Sequence, residues 1–108
     1  MLERDGHSCV RCAVAIRGIR GLDCSIQHRK PRGQGGTNAV SNLLAVCGSG
    51  TTGCHGHMES YRTEAYDLGW LVHRDVDPLT KAVLVEAQSR WTYLDDLGGY
   101  SDNPPEVA

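Results

Sequence analysis

Residues 43–55 read LLAVCGSGTTGCH, a short apolar run followed by two cysteines that bracket a glycine-rich turn. The three glycines let the chain fold back tightly, because glycine tolerates positive φ. A second pair, Cys9 and Cys12, has the Cys-x-x-Cys spacing of metal ligands. Two close pairs of thiolates supply the four ligands of a tetrahedral structural zinc, and such a cross-link adds stability that a small core lacks. The sequence therefore predicts a zinc site formed by Cys9, Cys12, Cys47 and Cys54.

The five cysteines also admit other interpretations. Secreted disulfides are disfavoured by the odd count and by the lack of a charged start followed by an apolar block. A redox dithiol at Cys9 and Cys12 is disfavoured because no strand and helix of the required kind precede it. Cys24 then lies outside the zinc set, and we expect it to be a small buried side chain in a strand.

Length and composition indicate one intracellular domain. The 108 residues suffice for a single modest core, and 40% hydrophobic with 22% charged residues is typical of a folded globular chain. The longest apolar runs fall far short of the roughly 20 residues of a membrane helix, so no membrane association is expected.

The net charge of -2 conceals an asymmetry along the chain. Residues 1–62 carry eight basic and four acidic side chains, whereas residues 63–108 carry three basic and nine acidic ones. Charge alone favours a solvated charged surface, although the asymmetry permits a local site for a polyanion.

Hydrophobic patterning predicts several short strands around one helix. Residues 43–46 fit either a buried strand or one helical turn, and a glycine-rich loop is expected over residues 29–38. The other predicted strands cover residues 22–27, 70–72, 82–85 and 90–94, with a turn at Asp77-Pro78.

The helix is predicted over residues 55–68. Its apolar positions have spacings of three, four and three, at Met58, Tyr61, Ala65 and Leu68. Gly69 is the expected stop of this helix, and residues 101–108 are expected to fray.

Three polar side chains occur in a fixed order around these elements. His28 closes the first strand, Asn42 lies just before the second apolar run, and His55 follows the last zinc cysteine at the helix start. This order, within a two-strand, one-helix unit pinned by two cysteine pairs, resembles the HNH endonuclease family, above all its small bacteriophage and prophage members. The resemblance spans about residues 4–71, and its further pieces are CVRC at 9–12, QHRKPR at 27–32, Gly35-Gly36, SNLL at 41–44 and Cys54-His55.

The resemblance implies an α+β fold with a ββα-metal core and a four-cysteine zinc knuckle. A single nuclease domain would cover residues 1–100, with the core at about 4–71, an extension of short strands at about 72–100 and a flexible tail at 101–108. The implied activity is metal-dependent cleavage or nicking of DNA in the cytoplasm of a bacterial host. Its implied partners are DNA and the terminase and portal proteins that package phage genomes.

The resemblance also assigns roles to the three polar residues. His28 would take the proton of the attacking water, which suits the titration range of an imidazole. The side-chain carbonyl of Asn42 would hold that imidazole in the correct orientation and tautomer. His55 would bind one catalytic divalent metal at the scissile phosphate, so products with 5′ phosphate and 3′ hydroxyl ends are expected. Without the motif, Asn42 fits a turn cap equally well.

One position departs from the family pattern. Many members have Asp or His before the catalytic histidine, whereas this chain has Gln27, whose neutral carbonyl oxygen binds divalent ions weakly. Glu59, four residues after His55, shares its helix face, whereas His57 points roughly to the opposite side. His57 is the alternative ligand if the first helical turn is irregular. We therefore expect Glu59 and, as a weaker ligand, Gln27 to join His55 around Mg²⁺, Mn²⁺, Ni²⁺ or Zn²⁺. Glu59 fits a solvated helix acid equally well.

DNA binding is expected to depend on phosphate contacts. The candidate residues flank the proposed base or share the helix face of His55, and they are Arg29, Lys30, Arg32 and Arg62. Arg17 and Arg20 would extend this basic track. No helix presents Arg or Asn side chains arrayed for base edges, so intrinsic sequence specificity is expected to be low. The alternative function is a noncatalytic zinc module that binds nucleic acid or a packaging complex, with Gln27 as the sign of a weakened site.

Overall fold

The chain forms two small antiparallel sheets and two short helices, which makes it an α+β protein. The computed structural model describes residues 1, 4–16, 24–49 and 51–104. The strands and helices follow in the order β1 (Cys24–His28), β2 (Leu43–Cys47), α1 (Gly53–Ser60), α2 (Arg62–Asp67), β3 (Val83–Val85), β4 (Arg90–Leu94) and β5 (Tyr100–Ser101).

β1 and β2 pair with each other, which confirms the first predicted strand over its described residues and shows that residues 43–46 form a strand and not a helical turn. Their register aligns Cys24 with Cys47 and His28 with Leu43. The apolar run of β2 is buried on both faces, which explains why it lacks the alternation of a half-exposed strand. The sheet therefore has a cysteine end and a histidine end, and the predicted beginning of the first strand at residues 22–23 lies outside the described residues.

The predicted helix over residues 55–68 is interrupted at Tyr61. The backbone of Tyr61 adopts φ -112° and ψ 65° between α1 and α2, and its side chain is 58% exposed. The ring lies beside that of His57, with centroids 4.5 Å apart, while Met58 and Ala65 are fully buried. The prediction of one continuous helix is wrong, because the backbone of Tyr61 is not helical and separates α1 from α2. None of the helices in the described parts of the chain is long and apolar enough to cross a membrane.

Residues 70–72 are buried, but they do not form the predicted strand. The Leu71 amide donates to the carbonyl of Ala65 in α2, and the Val72 amide donates to the carbonyl of Arg29 in the loop after β1. A short apolar run does not by itself distinguish a strand from another buried segment. Gly69 ends the helical region as predicted, since its φ is +79° and a Cβ there would lie 2.1 Å from the Ala82 carbonyl oxygen.

The C-terminal part is a three-stranded meander in the order β3-β4-β5. β3 and β4 confirm the predictions for residues 82–85 and 90–94, and Asp77 accepts the Leu79 amide at 2.9 Å in the expected turn. β5 includes Ser101, so the prediction of a frayed tail is wrong at its first residue, and residues 105–108 lie outside the described residues. One cluster of buried side chains runs from Cys9 to Leu94, which shows that this part packs on the same core as β2 and the helices.

Candidate functional site

The four predicted cysteine ligands converge at one end of the first sheet. Their sulfur atoms all lie within 4.8 Å of one another, and the Sγ atoms of Cys12 and Cys47 are 3.7 Å apart. Tetrahedral zinc with Zn–S bonds of about 2.3 Å requires sulfur atoms about 3.8 Å apart. The cluster is therefore suited to a structural metal ion, and thiolates are ligands that zinc prefers.

Two loops bring the cysteines together. The Val10 amide donates to the Ala45 carbonyl at 3.0 Å, which docks the Cys9–Cys12 loop on β2. The second loop reverses tightly at Gly48, where φ is +87° and a Cβ would lie 2.1 Å from the Thr52 carbonyl oxygen. Only glycine fits this reversal without strain, which is the conformational freedom that the sequence pattern predicted.

A cation lies against the cysteine cluster. Burial raises the pKa of the Cys54 thiol, while a hydrogen bond from Arg11 Nη1 to its Sγ, 3.4 Å long, acts in the opposite direction. The guanidinium also lies 5.9 Å from the centroid of the Trp70 ring. Metal loading has to displace thiol protons, so the affinity of this cluster for metal is expected to fall with decreasing pH.

A groove of about 560 Å³ lies at the histidine side of the fold. His28 at the end of β1 and His55 in the first turn of α1 both line it. Their neighbours in the groove wall are Ile26, Gln27, Pro31, Arg32, Gly33, Gln34, Glu59 and Arg62. The fold thus brings together both predicted histidines, both additional candidate metal ligands and two of the four predicted phosphate-binding cations.

The imidazole of His55 has the properties of a metal ligand. Burial lowers its pKa, Glu59 opposes this effect, and His28 adds to the lowering. The Nδ1 atom is buried and has no hydrogen-bond partner among the described residues. A neutral imidazole with an unshared nitrogen lone pair is the form that binds a divalent cation.

Gln27, which lines the groove, carries a second buried polar atom without a partner among the described residues. The side chain is fully buried, and its Nε2 donates to the Trp70 carbonyl at 3.3 Å. Its Oε1 has no partner within the described residues. An unsatisfied buried carbonyl oxygen costs free energy that a bound cation or water would recover.

Glu59 and His57 separate as the helix geometry predicts. Glu59 lines the groove with His55 and accepts a 3.0 Å hydrogen bond from Arg62 Nη1. His57 is absent from the groove wall, and its Nε2 lies 3.2 Å from Glu64 Oε1.

Asn42 does not contact the His28 imidazole, so the predicted orienting role is wrong for this residue. Its Oδ1 accepts the Lys30 amide at 2.7 Å, and its Nδ2 donates to the carbonyls of Lys30 (3.1 Å) and Thr37 (2.8 Å). The side chain is buried beneath the loop that follows β1, at the end of the Val40–Asn42 turn. Asn42 therefore fixes the loop, in line with the alternative interpretation as a turn residue.

Asn38 is the asparagine that contacts His28. Its Oδ1 lies 3.0 Å from His28 Nε2 and accepts a 2.9 Å hydrogen bond from Arg32 Nη2. Sequence reasoning missed this residue because Asn38 is one of several polar side chains in a glycine-rich loop, and nothing in the spacing distinguishes it.

Arg29 is a structural cation, and its predicted phosphate contact is wrong. The side chain is 0% exposed. Its guanidinium donates at 2.7–3.0 Å to four backbone carbonyl groups, those of Ser41, Gly69, Pro78 and Lys81. Burial lowers the pKa of Arg29 to about 9, with a smaller contribution from Arg4, so the group stays charged at neutral pH. A run of consecutive basic residues does not indicate which one turns inward.

The remaining predicted cations divide between two surfaces. Arg32 and Arg62 line the groove of the histidines, whereas Lys30 lines a separate cavity with Arg74 and several aspartates. Lys30 is therefore not part of the groove wall, and its predicted phosphate contact stays a prediction. Arg17 and Arg20 lie outside the described residues.

Comparison with known proteins leaves the groove to be interpreted from its own chemistry. The described geometry holds a thiolate cluster suited to a structural metal and, apart from it, two histidines that share one groove with a carboxylate and two arginines. No family model matches the chain, and no curated protein or solved structure matches it either.

Proposed function

We propose that this protein is a metal-dependent endonuclease or nickase of the HNH type that hydrolyses phosphodiester bonds of DNA. The observation that carries the proposal is the convergence of His28 and His55 on one groove. These residues come from different elements, and the groove also contains the residue types needed for metal binding and phosphate neutralisation. Histidines with a purely structural role would not be expected to line one groove together with candidate metal ligands and arginines.

The chemistry of the proposal divides between the two histidines. His28 would accept a proton from the attacking water, because a neutral imidazole nitrogen is a base in the physiological range. His55 would hold a divalent cation together with Glu59 and Gln27, whose free Oε1 suits an oxygen-binding ion such as Mg²⁺ or Mn²⁺. A cation held there would neutralise charge that develops on the phosphate.

Arg32 and Arg62 would bind the DNA backbone on either side of the reacting phosphate. Arg62 is engaged with Glu59 and the Tyr66 hydroxyl, and Arg32 with Asn38, so both guanidinium groups are held in place at the groove. Such contacts carry no sequence information. We therefore propose low intrinsic specificity, with partners of a phage packaging complex directing the enzyme to its DNA.

A plasmid nicking assay tests the proposal. Supercoiled plasmid is incubated with the purified protein and Mg²⁺, Mn²⁺, Ni²⁺ or Zn²⁺ in turn, beside the variants His28→Ala, His55→Ala and His73→Ala. His73 stacks on Tyr66 outside the groove and is the matched control. We expect metal-dependent nicking that falls at least about 100-fold in His28→Ala and His55→Ala but not in His73→Ala.

Three outcomes would contradict the nuclease. Equal nicking by wild type and His28→Ala would indicate a contaminant or another site. DNA binding without nicking in any metal would favour the noncatalytic zinc module, which the neutral Gln27 at a ligand position supports. Binding of packaging proteins with neither DNA affinity nor nicking would indicate a structural adaptor.

A further inference from the structure

The hydrogen bonds of Asn38 determine which nitrogen of His28 carries a proton. Arg32 Nη2 and His28 Nε2 approach the same Asn38 atom, at 2.9 and 3.0 Å. A guanidinium group only donates, so this atom has to be the amide oxygen. An amide oxygen only accepts, so His28 Nε2 has to be protonated.

We infer that Asn38 is the positioning residue that keeps His28 in the Nε2–H tautomer and leaves the lone pair on Nδ1. This inference deepens the proposed function and rests on it for its catalytic meaning. His28 borders two cavities, the groove described above and a smaller one of about 230 Å³ that Asn38 lines. With Nε2 held at the smaller cavity, Nδ1 is the nitrogen left for the groove.

The arrangement gives a balanced proton transfer. The Nδ1 lone pair takes one proton from water, and the imidazole becomes a cation. The resulting hydroxide forms the new bond to phosphorus as the bond from phosphorus to the 3′ oxygen breaks, and the departing 3′ oxygen takes a proton from solvent water. The Nε2–H bond to Asn38 persists throughout, and it strengthens as the ring gains charge, because hydrogen bonds from ionised donors are stronger.

Arg32 makes the orientation of Asn38 specific. Without a donor beside it, the Asn38 amide would be able to rotate and present its NH₂ group to Nε2, which favours the opposite tautomer. Arg32 uses one of its five N–H groups for Asn38 and retains others for a phosphate. Asn42 does not replace Asn38 in this role, because both polar atoms of its side chain are engaged by the loop backbone.

The tautomer is measured directly by NMR of ¹⁵N-labelled protein at a pH where the imidazoles are neutral. The His28 signals are assigned by their loss in His28→Ala. We expect a protonated Nε2 and an unprotonated Nδ1 in the wild type, mixed tautomers in Asn38→Ala, and the wild-type tautomer in Asn38→Asp, which keeps an acceptor oxygen. Asn103→Ala removes another exposed asparagine and is the control that leaves the spectrum unchanged.

Kinetics supply the second readout. Asn38→Ala is expected to lower kcat for nicking about tenfold with little change in KM, and Asn38→Asp to recover most of the loss. An Nδ1–H tautomer in the wild type, or an unchanged tautomer in Asn38→Ala, overturns the inference whatever the nicking activity. Absence of nicking in every metal overturns the proposed function, while the spectra still decide which tautomer Asn38 fixes.

Discussion

The cysteine cluster and the histidine groove differ in how completely the chain satisfies their polar atoms. Four thiols converge within 4.8 Å, and Arg11 adds a hydrogen bond to one of them. Among the residues that line the groove, His55 and Gln27 each carry a buried polar atom, Nδ1 and Oε1, that has no partner among the described residues, while His28 is held by Asn38. The first arrangement is a closed ligand set, and the second leaves ligand positions open.

This difference is the one that separates structural from catalytic metal sites in general. A structural zinc is enclosed by four protein ligands, whereas a catalytic ion keeps positions for water or substrate. We therefore expect disruption of the cluster to destroy the fold, and disruption of the groove to remove activity from an intact fold.

The largest effect is expected for Cys9→Ser. Loss of one ligand would weaken the binding of a structural metal. Because such binding is coupled to folding, the variant should be unfolded or lose most of its stability. Metal content and melting temperature, with and without a strong chelator, measure this effect. Cys24→Ala is the matched control, since Cys24 is buried outside the cluster, and it should keep its metal. A melting temperature unaffected by Cys9→Ser and by chelation would refute the structural metal.

Substitution of Arg29 tests whether this residue stabilises the fold or binds DNA. Arg29→Met leaves four buried carbonyl groups without their donor, so we expect a loss of about 3–5 kcal/mol in the free energy of unfolding. Arg32→Ala, at an exposed arginine three residues later, should change it by less than about 0.5 kcal/mol. Urea unfolding compares the two. Normal stability with lost DNA affinity in Arg29→Met would return this residue to the nucleic-acid surface.

Glu59 and His57 test the ligand set of the groove. Glu59→Ala should raise the Mn²⁺ concentration for half-maximal nicking about tenfold, because it removes an anion beside His55. His57→Ala removes a side chain paired with Glu64 outside the groove and should have little effect. The opposite ranking in a metal titration would show that the assignment of helix faces is wrong.

The smallest effect is expected from the titration of His55. Burial lowers its pKa below the ordinary value of 6.5, so just below pH 6.5 the unfolded chain binds a proton that the folded protein does not. Stability due to this group is therefore present above pH 6.5 and is lost as the pH falls through the lowered folded pKa. The free energy of unfolding measured from pH 7 downward should decline less steeply in His55→Gln. Identical slopes would contradict the burial effect.

Local spacing was sufficient to predict the cluster and most strands. Each cysteine pair is recognised from the spacing of a few residues, and the structure brings all four predicted cysteines together. The inward turn of Arg29 depends on partners 40 or more residues away in the chain, at Gly69, Pro78 and Lys81. The local sequence around Arg29 gives no information about these distant partners, so its burial was not predictable from that sequence.

The exchange of roles between Asn42 and Asn38 has a similar cause. Both asparagines belong to the connection between β1 and β2, and only the path of this loop determines which one reaches His28. A motif fixes the order of residue types along the chain, whereas the hydrogen bonds depend on where the loop crosses the strand end. Sequence reasoning therefore identified the two histidines of the groove but not the residue that holds one of them.

Crystals of the protein soaked in Mn²⁺ test the central claim most directly, through the anomalous scattering of the ion. The proposed nuclease predicts a Mn²⁺ ion bound to His55 in the groove beside His28, separate from the metal of the cysteine cluster. An anomalous signal confined to the cysteine cluster at saturating Mn²⁺, with none at His55, would contradict it.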